Sequence, residues 1–384
     1  MGVIRAEPAR VTDWAAKSVG AAWRAFDLQL VVYAGLLVAT GLVMAYTNSV
    51  ENGSTPLEAG TTFTRGLMWA GIAAVTFILA TAFDYRWLKT LSWPVYALQL
   101  GLLLLTLAIG DGIGNSARWI TVGPLTFQFS ELAKILMIIV LANWLAGRGR
   151  RLDSITTILG AGILVAPPLA LVMLQPDLGT SLVFGAILVG MLWMSGTSLK
   201  WLGAMAAAVI AMVPVAWTYL LRDYQKERLT SFLNTKPDIT DSGYQLYQSQ
   251  IAVGSGGWFG RGLTNGTQAQ GDFLPVQSTD FVFSVLAEEN GFLGVVLVLG
   301  LYLFILWRCF ETAQLARDRV GVFLATAVAA GLSFQVVYNV AMVAGLVPVK
   351  GLPLPLMSYG GSSVIASLLA LGLIFNVRMR RFAN

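Results

Sequence analysis

The sequence predicts an all-α polytopic membrane protein of ten transmembrane helices, with one long extracytoplasmic loop between helices 7 and 8. Three observations carry that expectation. Of 384 residues, 56% are hydrophobic and 12% charged, about half the charged share of an ordinary soluble domain. The apolar residues gather into runs long enough to cross about 30 Å of hydrocarbon. Lysine and arginine collect in alternate loops between those runs, as the positive-inside rule describes.

Residues 1–27 form a cytoplasmic segment in which Val11, Trp14, Ala15, Val19, Ala22, Trp23 and Phe26 fall at helical spacing between basic residues. That pattern suits an interfacial helix rather than a cleavable signal, since no apolar core precedes Leu28. The membrane domain, 28–377, opens with runs at Leu28–Tyr46, Gly66–Phe83, Leu91–Ile109, Glu131–Ala146 and Ile155–Leu174. Pro167-Pro168 is expected to bend or interrupt the fifth. Thr180–Met194, Leu202–Leu221, Gly291–Trp307, Val320–Val343 and Ser358–Val377 follow, then a basic tail, 378–384. Ten spans put both termini on one side. The loops of that side hold about sixteen Lys and Arg against about eight opposite, five of these in the long loop 222–290 that the rule discounts. Both termini are therefore expected in the cytoplasm.

There is no histidine, and Cys309 is the single cysteine. Histidine metal sites, histidine-dependent triads and disulfide frameworks are excluded together. Acid–base chemistry falls to carboxylates, lysine, tyrosine or the substrate.

The unusual polar residues lie on the outer side. Asn115-Ser-Ala-Arg-Trp-Ile120 leads to Gln128-Phe-Ser-Glu-Leu-Ala-Lys134, with Ser130 as expected N-cap and Glu131 and Lys134 on one helical face. An intramembrane ionisable pair marks either a functional site or a structural ion pair. Arg118 beside Trp119 suits an interfacial anchor or a pyrophosphate. In Gln175-Pro-Asp-Leu-Gly-Thr-Ser181, Asp177 and Thr180 have helix-start chemistry. The long loop carries Tyr244-Gln-Leu-Tyr-Gln-Ser-Gln-Ile-Ala-Val-Gly-Ser-Gly-Gly-Trp-Phe-Gly-Arg-Gly262. Its glycines lack a Gly-Lys-Ser/Thr ending, so close backbone approach or tight turns account for them better than a nucleotide. Asp280, between Thr279 and Phe281, is either a partly desolvated general base or a cap for the helix that follows. Two prolines and paired glycines around Ser358-Tyr359 predict a re-entrant or extended segment, which must be buried or line a cavity.

These segments together resemble the SEDS family (shape, elongation, division and sporulation), most closely its RodA branch. The resemblance rests on Gln175-Pro-Asp-Leu-Gly-Thr-Ser, Ile251-Ala-Val-Gly-Ser-Gly-Gly, Thr279-Asp280-Phe with Glu288-Glu289, and Gly351-Leu-Pro-Leu-Pro-Leu-Met-Ser-Tyr-Gly-Gly. Pro353, where the division branch usually has threonine, favours the elongation branch. Phe129 and Val276 depart from the family's usual proline and glutamate, and the second removes a carboxylate from consideration. The resemblance implies a peptidoglycan glycosyltransferase in the bacterial cytoplasmic membrane, polymerising lipid II with inversion and release of undecaprenyl pyrophosphate. It implies Asp280 as the catalytic residue, with Glu131 and Lys134 facing it across a central cavity. Arg118, Asp177, Thr180, Gln250, Ser358 and Tyr359 are the candidates for substrate contact. Lys134 is left with two roles, counter-ion to Asp280 or support for the pyrophosphate. No cofactor is called for; a divalent cation, magnesium or manganese, is compatible with the pyrophosphate, but no compact ligand cluster demands it. The implied partners are a class B penicillin-binding protein and other elongation-complex membrane proteins, with no nucleic acid. The transpeptidase helix would pack on the eighth and ninth spans, using small residues such as Ala325, Ala327, Ala329 and Gly331. The alternative function is a flippase for the lipid-linked precursor.

Overall fold

The structure, a computed structural model, describes residues 26–382 apart from 52–54, 59, 114–115, 123–124, 150–151, 222–224, 227–228, 231, 233–241 and 268–278. The expected interfacial helix and Val276 lie outside the described residues. Ten apolar helices occupy the expected places: α1 (Leu28–Glu51), α2 (Thr62–Ala82), α3 (Ser92–Ile109), α4 (Phe129–Ala146), α5 (Ile155–Leu174), α6 (Leu178–Met194) and α7 (Leu199–Val215) precede the long loop. Within that loop lies α8 (Ser242–Ser255), and α9 (Val282–Leu315), α10 (Arg319–Val343) and α11 (Gly361–Met379) complete the bundle. Among the described residues, nine helices have the length and composition to cross a membrane, while α6 is apolar but shorter. The innermost are α4, α10 and α11, buried over 72%, 67% and 89% of their apolar windows, whereas α7 buries nothing.

One feature departs from the all-α expectation. Between α3 and α4 the chain forms a small antiparallel sheet, β1 (Asp111–Ile113), β2 (Ser116–Val122) and β3 (Leu125–Phe127), with Asp111 opposite Trp119 and Ile120 opposite Phe127. Ile120, Thr121 and Val122 are strand formers by shape, and the sheet carries Arg118 to the end of the bundle.

Three irregularities are held by protein hydrogen bonds, as non-helical backbone at membrane depth must be. Pro167 and Pro168 sit inside α5, which continues without interruption. Pro168 has no N–H for the carbonyl of Leu164 four residues back, and the Tyr96 hydroxyl donates to that oxygen instead, at 2.9 Å. The second irregularity is Gly291, where α9 breaks (φ 64°, ψ −163°) nine residues into the helix. Here the glycine run of the long loop docks by its backbone. Arg261 N and Gly262 N donate to Glu288 O and Glu289 O at 2.9 and 3.0 Å. In exchange Phe292 N and Leu293 N donate to Gly257 O and Trp258 O at 2.9 and 3.2 Å. Glycine is needed because a Cβ on Gly256 or Gly260 would overlap the backbone of Ala287 or Glu289. The buried Glu288 and Glu289 tie down the same loop, Glu288 accepting from Thr267 N at 2.7 Å and Glu289 from Thr264 N at 3.0 Å.

The third irregularity is the segment from Ala344 to Gly360, non-helical as expected, with turns at both ends, and buried at Leu352, Leu354, Leu356, Met357 and Ser358. The Tyr302 hydroxyl donates to Pro355 O, the Tyr338 hydroxyl to Pro348 O and Asn339 Nδ2 to Leu352 O. At the opposite end of the bundle, ion pairs join the start of α1 to the ends of α9 and α11. Asp27 pairs with Arg308 at 2.7 Å and Arg378 at 3.1 Å, and Glu311 pairs with both arginines.

Gly260→Ala and Gly291→Ala, both at positive φ against backbone, are expected to destabilise by about 1–3 kcal/mol or more. Gly203→Ala, where a Cβ meets open space, is the control expected to be neutral. Tyr96→Phe should cost about 1–3 kcal/mol through the orphaned carbonyl. Thermal unfolding of the detergent-solubilised protein measures all four.

Candidate active site

The residue before α9, Phe281, stands in the N-cap position and makes no side-chain cap bond; Asp280 lies one further back and is not the cap. Thr279 and Asp280 form a turn fixed through both carbonyls. Ser358 Oγ donates to Thr279 O at 2.7 Å while accepting from Leu354 N at 2.7 Å. Asn339 Nδ2 donates to Asp280 O at 3.0 Å and to Leu352 O at 2.8 Å. The buried 344–360 segment thus holds the turn from below. The Asp280 carboxylate points at Gly351, with Oδ2 3.3 Å from the place a Cβ would occupy on that residue, which has φ 61°. The neighbouring Lys350 is buried in the same segment.

Asp177 is buried and caps α6. It accepts from Thr180 N at 3.1 Å, Thr180 Oγ1 at 2.9 Å, Gln128 Nε2 at 2.8 Å and Ser130 Oγ at 3.1 Å. Ser130 therefore serves Asp177; the N-cap position of α4 belongs to Gln128, whose backbone N–H donates to Ser362 Oγ at 2.8 Å. Arg118 donates through Nε to Gln175 O at 3.0 Å and through Nη2 to Pro176 O, clamping the start of the same motif. Gly179 then packs on the carbonyl of Lys350, 2.7 Å from a built Cβ.

Glu131 and Lys134 form a buried bidentate pair, the ammonium donating to both carboxylate oxygens at 2.8 and 2.9 Å. They line a small cavity of about 20 Å³ with Gln335 of α10 and Ser367 of α11. Among the described residues, Gln335 Nε2 has no hydrogen-bond partner. Asp280 is not in the lining of this cavity. The two clusters are joined by packing: Glu131 adjoins Ser130, Ser130 bonds Asp177, Gly179 abuts Lys350, and Gly351 faces Asp280.

Two other candidates sit at the margins. Gln250 of α8 is exposed and donates to Ala344 O at 3.4 Å, and Tyr359 lines a separate small cavity of about 20 Å³ with Gly66, Trp69 and Ser358. Among the described residues no three acidic side chains converge; a magnesium or manganese ion at a pyrophosphate would be held mainly by substrate oxygens. Sequence reasoning did not single out Lys350, nor Asn339, although a buried asparagine in an apolar helix is itself a signal. Ala325, Ala327, Ala329 and Gly331 are buried inside the bundle, so they are not open to a partner helix. Their small size serves packing against neighbouring helices, as where Gly331 meets Ile187.

Fold and site define an integral membrane protein of ten apolar helices that holds an acidic turn on buried irregular backbone at one end of its bundle. The chain belongs to the FtsW/RodA/SpoVE family of cell cycle proteins, whose model matches residues 27–382. It is 34% identical over 359 residues to a probable peptidoglycan glycosyltransferase FtsW of Trichlorobacter lovleyi, covering 92% of this chain and 93% of that one. It is 37% identical over 291 residues to the peptidoglycan glycosyltransferase MrdB of Escherichia coli K12, covering 75% and 78%. Among solved structures, a chain from work on structural coordination of polymerization and crosslinking by a peptidoglycan synthase complex matches with TM-score 0.79. The identity is 33%, covering 94% of this chain and 99% of that one.

Removing one partner of the buried Glu131–Lys134 pair should cost about 3–5 kcal/mol, because the other charge is stranded. Glu131→Gln or Lys134→Met alone should therefore unfold at markedly lower temperature, and the double variant should recover most of the loss. Activity that stays absent in the stable double variant would mark a role beyond structure.

Proposed function

We propose that this chain is a peptidoglycan glycosyltransferase that polymerises lipid II into glycan strands on the outer face of the bacterial cytoplasmic membrane. The observation that carries this reading is the Asp280 turn. Its carboxylate does not cap the following helix, and both carbonyls of the turn are fixed by buried side chains. A base held this way is preorganised. The acceptor's 4-hydroxyl attacks the anomeric carbon of the donor, the C–O bond to pyrophosphate breaks with inversion, and Asp280 takes the hydroxyl proton.

The departing undecaprenyl pyrophosphate needs positive charge where its own charge develops. Arg118, fixed on the carbonyls of Gln175 and Pro176, and Lys350, beside the glycine that faces Asp280, are placed for it. Lys134 is bonded to Glu131, and that pair lines the inner cavity rather than the Asp280 turn. Close matches to both FtsW and MrdB leave the branch to Pro353, which supports elongation. The outward orientation rests on the basic loops, with both termini cytoplasmic.

The similarity to a chain of a peptidoglycan synthase complex supports a class B penicillin-binding protein as partner. With the small residues of α10 buried, the surface offered to its helix is the exposed side of α9, with Leu297, Phe304 and Trp307.

Asp280→Asn should lower lipid II polymerisation by about 10²- to 10⁴-fold with unchanged thermal unfolding. Glycan length on gels and lipid II translocation, followed in the same proteoliposomes, separate this from a flippase. Wild-type polymerisation by the variant would overturn the assignment.

A further inference from the structure

A third cavity lies at the other end of the bundle, far in sequence from every residue of the acidic turn. It has a volume of about 210 Å³ and is lined by Lys89, Ser92, Trp93, Val140, Asn143, Trp144 and Leu164. These come from the start of α3, the end of α4 and the middle of α5. Lys89 is exposed just before α3, while Leu164 is nine residues into α5, about 14 Å deeper along the helix. The cavity therefore has a charged mouth at the membrane surface and an apolar floor well inside it.

Its polar groups are chemically one-sided. Among the described residues no carboxylate pairs with Lys89, and a second cation, Arg148, lies 4.0 Å over the ring of Trp144, which lines the cavity. Ser92 Oγ already donates its hydrogen to Leu88 O at 2.9 Å. Both amide hydrogens of Asn143 are engaged, by Leu88 O and Ile139 O, and among the described residues its Oδ1 has no partner. The walls thus offer cations and hydrogen-bond acceptors. Trp93, 65% exposed, is an interfacial aromatic of the kind found at headgroup level. A ligand that satisfies all of this carries an anion, hydroxyl donors and an acyl chain.

We propose that this cavity binds an anionic glycerophospholipid with a hydroxyl-bearing headgroup, of the phosphatidylglycerol class, from the leaflet on the side that the basic loops assign to the cytoplasm. Its phosphate sits between Lys89 and Arg148, its headgroup hydroxyls donate to Ser92 Oγ and Asn143 Oδ1, and an acyl chain runs along Val140 to Leu164. Basic pockets between transmembrane helices on that side are suited to such headgroups.

The test is native mass spectrometry of the full chain released from vesicles of equimolar phosphatidylglycerol and phosphatidylcholine. Phosphatidylglycerol should be retained in preference, with about fivefold loss for each cation removed in Lys89→Gln and Lys89→Gln/Arg148→Gln. Leu164→Trp fills the floor without changing charge and should also release the lipid, which guards against a general surface-charge effect. Soluble glycerol phosphate should not compete. Retention unchanged in all three variants, equal retention of phosphatidylcholine, or full competition by glycerol phosphate would each overturn the proposal.

Discussion

Every backbone polar group at membrane depth must find a partner within the protein, and the functional end of this molecule is organised around that requirement. A chain made only of regular helices would meet it automatically and would have nowhere to place a reactive group. This chain departs from helix at α9 and again between α10 and α11, and each departure is closed by specific donors. The break at Gly291 releases carbonyls of one turn and N–H groups of the next, and the glycine run of the long loop supplies both complements. The irregular 344–360 segment is held by Tyr302, Tyr338 and Asn339, and internally by Ser358.

The same donors position the site. Asn339 and Ser358 each serve the buried segment and the Asp280 turn at once, so the position of the carboxylate is coupled to the packing of the segment beneath it. From there a continuous line of contacts reaches the Glu131–Lys134 pair through Gly179, Asp177 and Ser130. The polar cluster is one network with two chambers, the acidic turn outside and the ion-pair cavity within. A buried pair such as Glu131–Lys134 adds little net stability and is strongly disruptive when broken, which suits a role in holding the inner chamber to one arrangement.

Much of this was legible in the sequence because bilayer thickness imposes a length on apolar runs. Ile155–Leu174 was placed to the residue, and most other helices to within a few. The polar residues at this end of the bundle were also legible, since charge inside such runs is costly enough to need a reason. Most of what escaped depends on contacts distant in sequence. The glycine run could be read as permitting close approach but not as docking on α9, because its partners Glu288 to Leu293 lie about thirty residues on. The strand over Ser116–Val122 is short and pairs locally, giving little periodicity to detect. Pro167-Pro168 signalled a bend or an interruption; α5 is not interrupted, and the carbonyl that Pro168 leaves without its N–H is satisfied by Tyr96 of another helix. The small residues of α10 announced close packing without saying against what; they face the bundle. Lys350 gave no signal beyond its charge, and its place beside Asp280 follows from the path of the irregular segment.

The central claim is that buried tethers on irregular backbone, rather than the carboxylate alone, create the reactive position. Single-turnover polymerisation of lipid II by Ser358→Ala measures this most directly, since the change removes the hydroxyl that bridges Thr279 O and Leu354 N while leaving Asp280 in place. The account predicts a rate lowered by about 10²-fold, the scale of a misplacement near 1 Å, with lipid II binding retained and partial rescue by Ser358→Thr. A wild-type rate for Ser358→Ala would contradict it.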